Sequence, residues 1–250
     1  MSNQKSKPAG ESTALLPPDW LSSSLIDLAK LSPIQRLELP CFCDTGVQVY
    51  IKRDDLLHPY ISGNKLYKLH GHLRHARAQQ ATIVSFGGAY SNHIHALAAA
   101  AQYYAIPLVV VVRGERPKQL SPTLKDVEQM GGRLHFISRT DYRRKSDGQF
   151  RQVLAAQLDL KPADLYWVPE GGGEVEGARG CMDLAIGLVG QLEGRGLSMD
   201  VIVHACGTGT SVAGLVAGLQ RTSMAGVPIW AVGVLKGLAA RDGGAMDSDI

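Results

Sequence analysis

The chain has 250 residues, 45% hydrophobic and 20% charged, a balance that supplies a sizeable core and excludes an intrinsically disordered protein. Its net charge of +3 comes from 26 basic and 23 acidic residues spread along the length, without the clustered basic footprint of a nucleic-acid binder. Four scattered cysteines (Cys41, Cys43, Cys181, Cys206) exclude a disulfide scaffold and a zinc module, and no apolar run is long enough for a membrane span or signal peptide.

Residues 1–15 are polar and proline-containing and are expected to form a disordered tail, in a chain expected to be cytoplasmic. The first chemical feature is Lys52-Arg53-Asp54-Asp55, followed by Ser62-Gly63-Asn64-Lys65. Leu66, Leu69, Leu73 and Ala76 keep helical spacing, so Lys65 falls in the first turn of a helix. The positive end of the helix dipole there disfavours an ammonium ion and favours the neutral amine that attacks an aldehyde; an ordinary surface lysine is the alternative.

From residue 80 onward, short β-branched runs alternate with helical patterns, which indicates βαβ units around a parallel sheet. Strands are predicted over Thr82–Phe86, Leu108–Arg113, Leu134–Ile137, Leu165–Val168, Val201–Ala205 and Ile229–Val234. A helix is predicted through Ile94, Leu97, Ala98, Ala101 and Tyr104, and another opens at Ser121-Pro122 and stops at Gly131-Gly132. The basic run from Arg139 to Arg151 is interrupted by Asp141, Ser146, Asp147 and Gly148 and reads as a solvated loop entering a helix.

In such a sheet, ligands bind beyond the carboxyl ends of the strands, where three loops are glycine-rich. Ser85-Phe86-Gly87-Gly88-Ala89-Tyr90-Ser91-Asn92-His93 is a strand, turn and helix start whose amides suit a carboxylate, with Ser91 as a plain N-cap as the alternative. It lacks the Gly-x-Ser-x-Gly spacing of an esterase nucleophile, and His93 and His95 diverge on a helix rather than converging on a metal. Pro169-Glu170-Gly171-Gly172-Gly173 is the second loop.

The third runs Cys206-Gly207-Thr208-Gly209-Thr210-Ser211-Val212-Ala213-Gly214-Leu215. Its glycines, helix-start amides and hydroxyls make an anion cup. Val212 stands where a dinucleotide fingerprint needs glycine or alanine, and Leu215 stands where a P-loop needs lysine. A single phosphate monoester survives these tests, beside the alternative of a tight turn with no ligand.

Taken together, Ile51–Asp55, Ser62–Lys65, Gly87–His93, Pro169–Gly173 with Gly177–Gly180, and Gly207–Gly214 resemble the 1-aminocyclopropane-1-carboxylate deaminase and D-cysteine desulfhydrase family of pyridoxal-phosphate enzymes. The resemblance implies a tryptophan synthase β-like α/β fold: two open, mostly parallel sheets with helices on both faces. Residues 16–66 and 166–250 would form the large cofactor-binding domain, incomplete at the C-terminus, and 67–165 the small domain.

The resemblance also implies that Lys65 holds pyridoxal 5'-phosphate as an imine and, once released, serves as general base. Asn92 would face the cofactor's phenolic oxygen, and Gly207, Thr208, Gly209, Thr210 and Ser211 its phosphate. Ser91, Asn92, His93, Glu170 and Gly171 would face a small amino-acid substrate, with Ser91 and His93 sharing the catalysis; a plain turn is the alternative for Glu170 and Gly171–Gly173. His93 inclines the expected reaction toward D-cysteine β-elimination, giving pyruvate, ammonia and sulfide; deamination of the cyclopropane amino acid is the alternative. A homodimer is expected on the same ground. Leu235–Ile250 shows no strand pattern where the family's sheet continues, so a truncated chain that binds cofactor without turnover is a competing expectation.

Overall fold

The computed structural model describes residues 15–43 and 45–234. The expected N-terminal tail lies almost wholly outside these residues, and the stretch from Leu235 to Ile250 entirely so. In chain order the elements begin with α1 (Leu25–Leu31), β1 (Ile34–Leu37), α2 (Pro40–Cys43), β2 (Val49–Lys52) and α3 (Asn64–Ala78). Next come β3 (Thr82–Gly87), α4 (Asn92–Tyr103), β4 (Leu108–Arg113), α5 (Pro122–Gln129), β5 (Arg133–Ile137), α6 (Arg139–Tyr142), α7 (Gly148–Gln157) and β6 (Leu165–Val168). The remainder is α8 (Glu174–Glu193), β7 (Ile202–Cys206), α9 (Thr210–Leu219) and β8 (Ile229–Gly233).

β3 to β6 form a parallel sheet in the order β5-β4-β3-β6, the arrangement that alternating strand and helix patterns produce. Leu108 to Val112 are all buried because helices cover both faces of this sheet. Side chains alternate across the sheet: Ile83, Val110 and Val112 join the large core with α3 and α4, while Val84, Phe86, Val109 and Val111 pack with Phe150 and Leu154 of α7.

β7 and β8 form a second parallel pair, in register from Ile202 opposite Ile229 to Cys206 opposite Gly233. β1 and β2 add a short antiparallel pair that the sequence does not announce. Its four-residue strands carry Gln35, Arg36 and Lys52 and lack a clean alternation of burial. The domain limits expected at 66/67 and 165/166 fall inside α3 and β6, and β6 pairs with β3 along its whole length.

α8 holds these parts together, packing against α1, α3 and α9 through glycines. A Cβ on Gly180 would lie 1.9 Å from the Tyr67 carbonyl oxygen, and one on Gly177 2.0 Å from that of Gly172. Gly214 and Gly218 of α9 meet the Ala178 and Met182 carbonyls of α8 in the same way, at 2.3 and 2.4 Å. The three helices therefore touch at backbone distance at these glycines, with only the Cβ atoms of Cys181 and Ala185 beside the carbonyls at the α8–α9 contact.

Candidate active site

α3 begins where Gly63 adopts φ 61° and ψ −148°, a conformation open to glycine and strained for other residues. Lys65 is the second helical residue, and its side chain enters a cavity of about 310 Å³. That volume lies at the lower end of the range for small-molecule sites, about 300–1,000 Å³. The opposite wall is the turn from β7 into α9: Cys206, Gly207, Thr208, Gly209, Ser211 and Val212. Gly209 has φ +79°, and a Cβ on Gly207 would meet nothing within 4 Å, so the turn presents open backbone to the cavity.

One side chain ties the amine to the turn. Asn64 Oδ1 accepts from Lys65 Nζ at 2.8 Å, and Asn64 Nδ2 donates to Ser211 Oγ at 2.9 Å. Burial lowers the Lys65 pKa, the effect that frees an amine for attack on a carbonyl.

Lys68, three residues on, lines the same cavity, although it is almost wholly buried. Its Nζ lies 3.5 Å from Thr208 Oγ1, and Thr208 Oγ1 lies 3.3 Å from Thr210 Oγ1. Burial, and secondarily the charge of Lys65, lowers the Lys68 pKa to about 8. The sequence reading assigned no role to Asn64 or to Lys68. The only signal was spacing, since residues i and i+3 share a helix face.

Among the described residues, neither Lys65 nor Lys68 pairs with a carboxylate. Two largely buried amines facing a glycine and hydroxyl turn suit an anionic ligand bearing an electrophilic carbon, so the residues present fit pyridoxal phosphate. No group of three potential metal ligands occurs among the described residues.

The expected substrate-side residues separate into two sets. Asn92, first residue of α4, and Gly171 line the cavity. Ser91 is the N-cap residue of α4, yet its hydroxyl makes no capping hydrogen bond. It lies outside the cavity lining, one residue from Asn92. Thr210 also stands just behind the lining, next to Thr208.

Glu170 turns away from the cavity: Tyr142 donates to its Oε1 at 2.8 Å, and Lys145 Nζ lies 3.4 Å from its Oε2. His93 is buried beneath the site, with Nε2 2.8 Å from Ser85 Oγ. Its Nδ1 has no hydrogen-bond partner and faces Gly172, whose Cβ, if present, would be 3.7 Å away. Burial, reinforced by Lys65 and Lys68, lowers its pKa to about 3. The reason it sits inside is periodicity: α4 buries His93 together with Ile94 and Leu97.

A parallel βα frame, a largely buried lysine at a helix start and a facing anion turn define a class of cofactor enzymes. Residues 30–244 match the family of pyridoxal-phosphate dependent enzymes, and the chain belongs to it. It is 32% identical over 214 residues to the mitochondrial bifunctional D-cysteine desulfhydrase/1-aminocyclopropane-1-carboxylate deaminase of Arabidopsis thaliana, covering 80% of this chain and 53% of that protein. It is 31% identical over 182 residues to the D-cysteine desulfhydrase of Salmonella typhi, covering 70% of this chain and 54% of that protein. A crystal structure of an ACC deaminase homologue superposes with a TM-score of 0.62 at 29% identity, covering 76% of this chain and 56% of that one. The chain thus spans about half the length of these relatives. Among the described residues, no helix is long and apolar enough to cross a membrane.

Proposed function

We propose that the chain binds pyridoxal phosphate between Lys65 and the Gly207–Ser211 turn and removes the β-substituent of a small amino acid of the D-cysteine kind. The products would be pyruvate, ammonia and sulfide. The observation that carries this reading is the Asn64 bridge, which hydrogen-bonds the Lys65 amine and the Ser211 hydroxyl at once. When bound, the cofactor supplies an electron sink for a bond broken at the substrate α-carbon.

This chain's residues supply the rest. Gly207, Thr208, Gly209, Thr210 and Ser211 hold the phosphate with amides and hydroxyls, and Lys68 adds a cation beside Thr208. Lys65, whose pKa is lowered by burial, would hold the cofactor through its amine, and the same amine would be the base for the proton on the substrate α-carbon. Asn92, which lines the cavity from the start of α4, would stand beside the cofactor's ring, and Gly171 lines the wall next to Thr208. Ser91, uncommitted to capping, and the neighbouring amides take the substrate carboxylate. His93 supports this turn from below, and Glu170 fixes the following loop through Tyr142 and Lys145.

The name of the Arabidopsis relative supports a second reading, opening of the cyclopropane amino acid to a 2-oxo acid and ammonia at the same residues. Full-length chain mixed with pyridoxal phosphate is expected to develop a visible absorbance band. Borohydride should convert this into a permanent adduct found on Lys65 by mass spectrometry, and Lys65→Ala should stay colourless. A colourless wild type overturns the reading. Sulfide release from D-cysteine supports the elimination, and ammonia released only from the cyclopropane substrate assigns the second reaction. A coloured protein inert toward both would be a cofactor binder without turnover.

A further inference from the structure

Beneath the first turn of α3 lies a buried polar cluster that the reaction as described does not use. Asp54 is 9% exposed, and its Oδ1 accepts from Ser32 Oγ at 2.6 Å and from the Tyr67 hydroxyl at 3.1 Å. Lys52 Nζ lies 3.4 Å from the same oxygen and also donates to the Ser32 carbonyl at 2.9 Å, to the Ser32 hydroxyl and to the Ala29 carbonyl. The Asp54 backbone carbonyl accepts the Gly63 N–H at 3.1 Å and the Leu57 N–H at 3.3 Å.

Two of these bonds fall on either side of Lys65. The main chain of Asp54 holds position 63, where the backbone makes its glycine-only turn, and its carboxylate holds position 67 through a fully buried tyrosine. Burial of Tyr67 beside that carboxylate raises its pKa, so the phenol remains a donor. A helix end ordinarily frays, because its first N–H groups lack intrahelical partners. No side-chain cap closes this one, so the double grip of Asp54 stands in for a cap.

We propose that Asp54 is the positioning residue for Lys65, fixing residues 63 and 67 so that the intervening amine emerges at one place and angle toward the Gly207–Ser211 turn. The inference rests on the reading of Lys65 given above. A partly buried lysine on a loosely held turn would wander by more than the roughly 0.5 Å that productive chemistry tolerates. Ser32 reaches the same oxygen, and its hydrogen bonds go to Ala29, Lys52, Asp54 and Gln191 and to no residue of α3, so it is the internal control.

The test compares Tyr67→Phe with Ser32→Ala in the full chain. Each variant deletes one hydroxyl donor to Asp54 Oδ1. Two quantities are read: the rate at which an amine-selective acylating reagent modifies Lys65 without cofactor, by mass spectrometry, and the affinity for pyridoxal phosphate. Tyr67→Phe is expected to weaken cofactor binding roughly fivefold to tenfold, the equivalent of one ordinary hydrogen bond, and to raise the labelling rate of Lys65. Ser32→Ala is expected to lower the melting temperature similarly while leaving both Lys65 readouts within about twofold of wild type, the scatter expected of an indirect effect.

Equal effects of the two variants on Lys65, or none from Tyr67→Phe, would overturn the proposal. Hydrogen exchange on the wild type gives an independent check: the Gly63 amide should be protected, and a rapidly exchanging Gly63 overturns the proposal even where a variant fails to fold. A wild type that binds no cofactor sinks the assignment of Lys65 to the cofactor and leaves the labelling comparison intact.

Discussion

The Ser85 hydroxyl decides which nitrogen of His93 carries the proton. Ser85 Oγ donates its single hydrogen to the Val168 carbonyl at 2.8 Å, so toward His93 Nε2 it acts only as an acceptor. The imidazole is therefore the Nε2–H tautomer, and Nδ1 is a bare, buried lone pair. A ring of this kind has no proton to donate toward the cavity and serves as a prop for the turn above it. In ¹⁵N-histidine spectra, one neutral ring is expected with a protonated Nε2 and an unprotonated Nδ1 at pH 7. Ser85→Ala should release that preference, and a doubly protonated His93 at neutral pH would contradict the assignment.

Acid sensitivity follows from the same burial. His93 and His70 are held neutral by desolvation, with pKa values lowered from 6.5 to about 3 and about 4. His58, His72, His135 and His204 are shifted in the same direction, first of all by burial. Below pH 6.5 the unfolded chain takes up protons that the folded chain refuses, so stability is fully present above 6.5 and declines toward pH 4. Each fully excluded proton costs about 1.4 kcal/mol per pH unit. Urea unfolding at pH 7, 6, 5 and 4 is expected to show a falling midpoint at constant slope; a midpoint unchanged down to pH 5 would rule this out.

Lys68 should matter for affinity and not for attachment. Its ammonium stands 3.5 Å from Thr208 Oγ1, on the side of the cavity assigned to the phosphate. Lys68→Gln is expected to weaken pyridoxal-phosphate binding by about tenfold to a hundredfold, as loss of a charged hydrogen bond of about 1.5–3 kcal/mol requires. Binding of pyridoxal, which has no phosphate, should change little. Absorbance titrations with the two compounds separate these effects, and equal losses for both would place Lys68 elsewhere in the site.

Two glycine substitutions of opposite sign probe the packing. Gly180→Ala would drive a methyl to 1.9 Å from the Tyr67 carbonyl oxygen, forcing α8 away from α3 at a cost of about 1–3 kcal/mol or more. Gly148→Ala at the first position of α7 meets nothing within 4 Å and is expected to stabilise by about 0.4–1 kcal/mol through the unfolded chain. Thermal melts of the two variants should move in opposite directions. Cofactor affinity should fall in the first and hold in the second.

The sheet was legible because burial on two faces demands runs such as Leu108–Val112, which few other structures need. The place of Lys65 at a helix start was legible because glycine and a helical apolar spacing flank it, and the turn at Gly207–Ser211 because a β-branched strand runs into glycines there; both line one cavity. Lys68 was not legible, since a lysine is ordinarily exposed; its stem is buried here partly because Gly177 of α8 lets it pass. His93 and Glu170 looked like site residues from their neighbours in sequence. Helical phase turned His93 inward, and Tyr142 with Lys145 drew Glu170 aside, and both effects depend on residues distant along the chain. The β1–β2 pair escaped because four mixed residues carry too little pattern to separate strand from loop.

The glycine contacts of α8 with α3 and α9 have a consequence for how such a site tolerates change. The Lys65 amine and the Gly207–Ser211 turn are registered through main chain pressed on main chain, at Gly180 against Tyr67 and Gly214 against Ala178. Substitutions around the rim would leave the spacing between Lys65 and the Gly207–Ser211 turn unchanged, so the mouth of the cavity can change shape without rebuilding the frame.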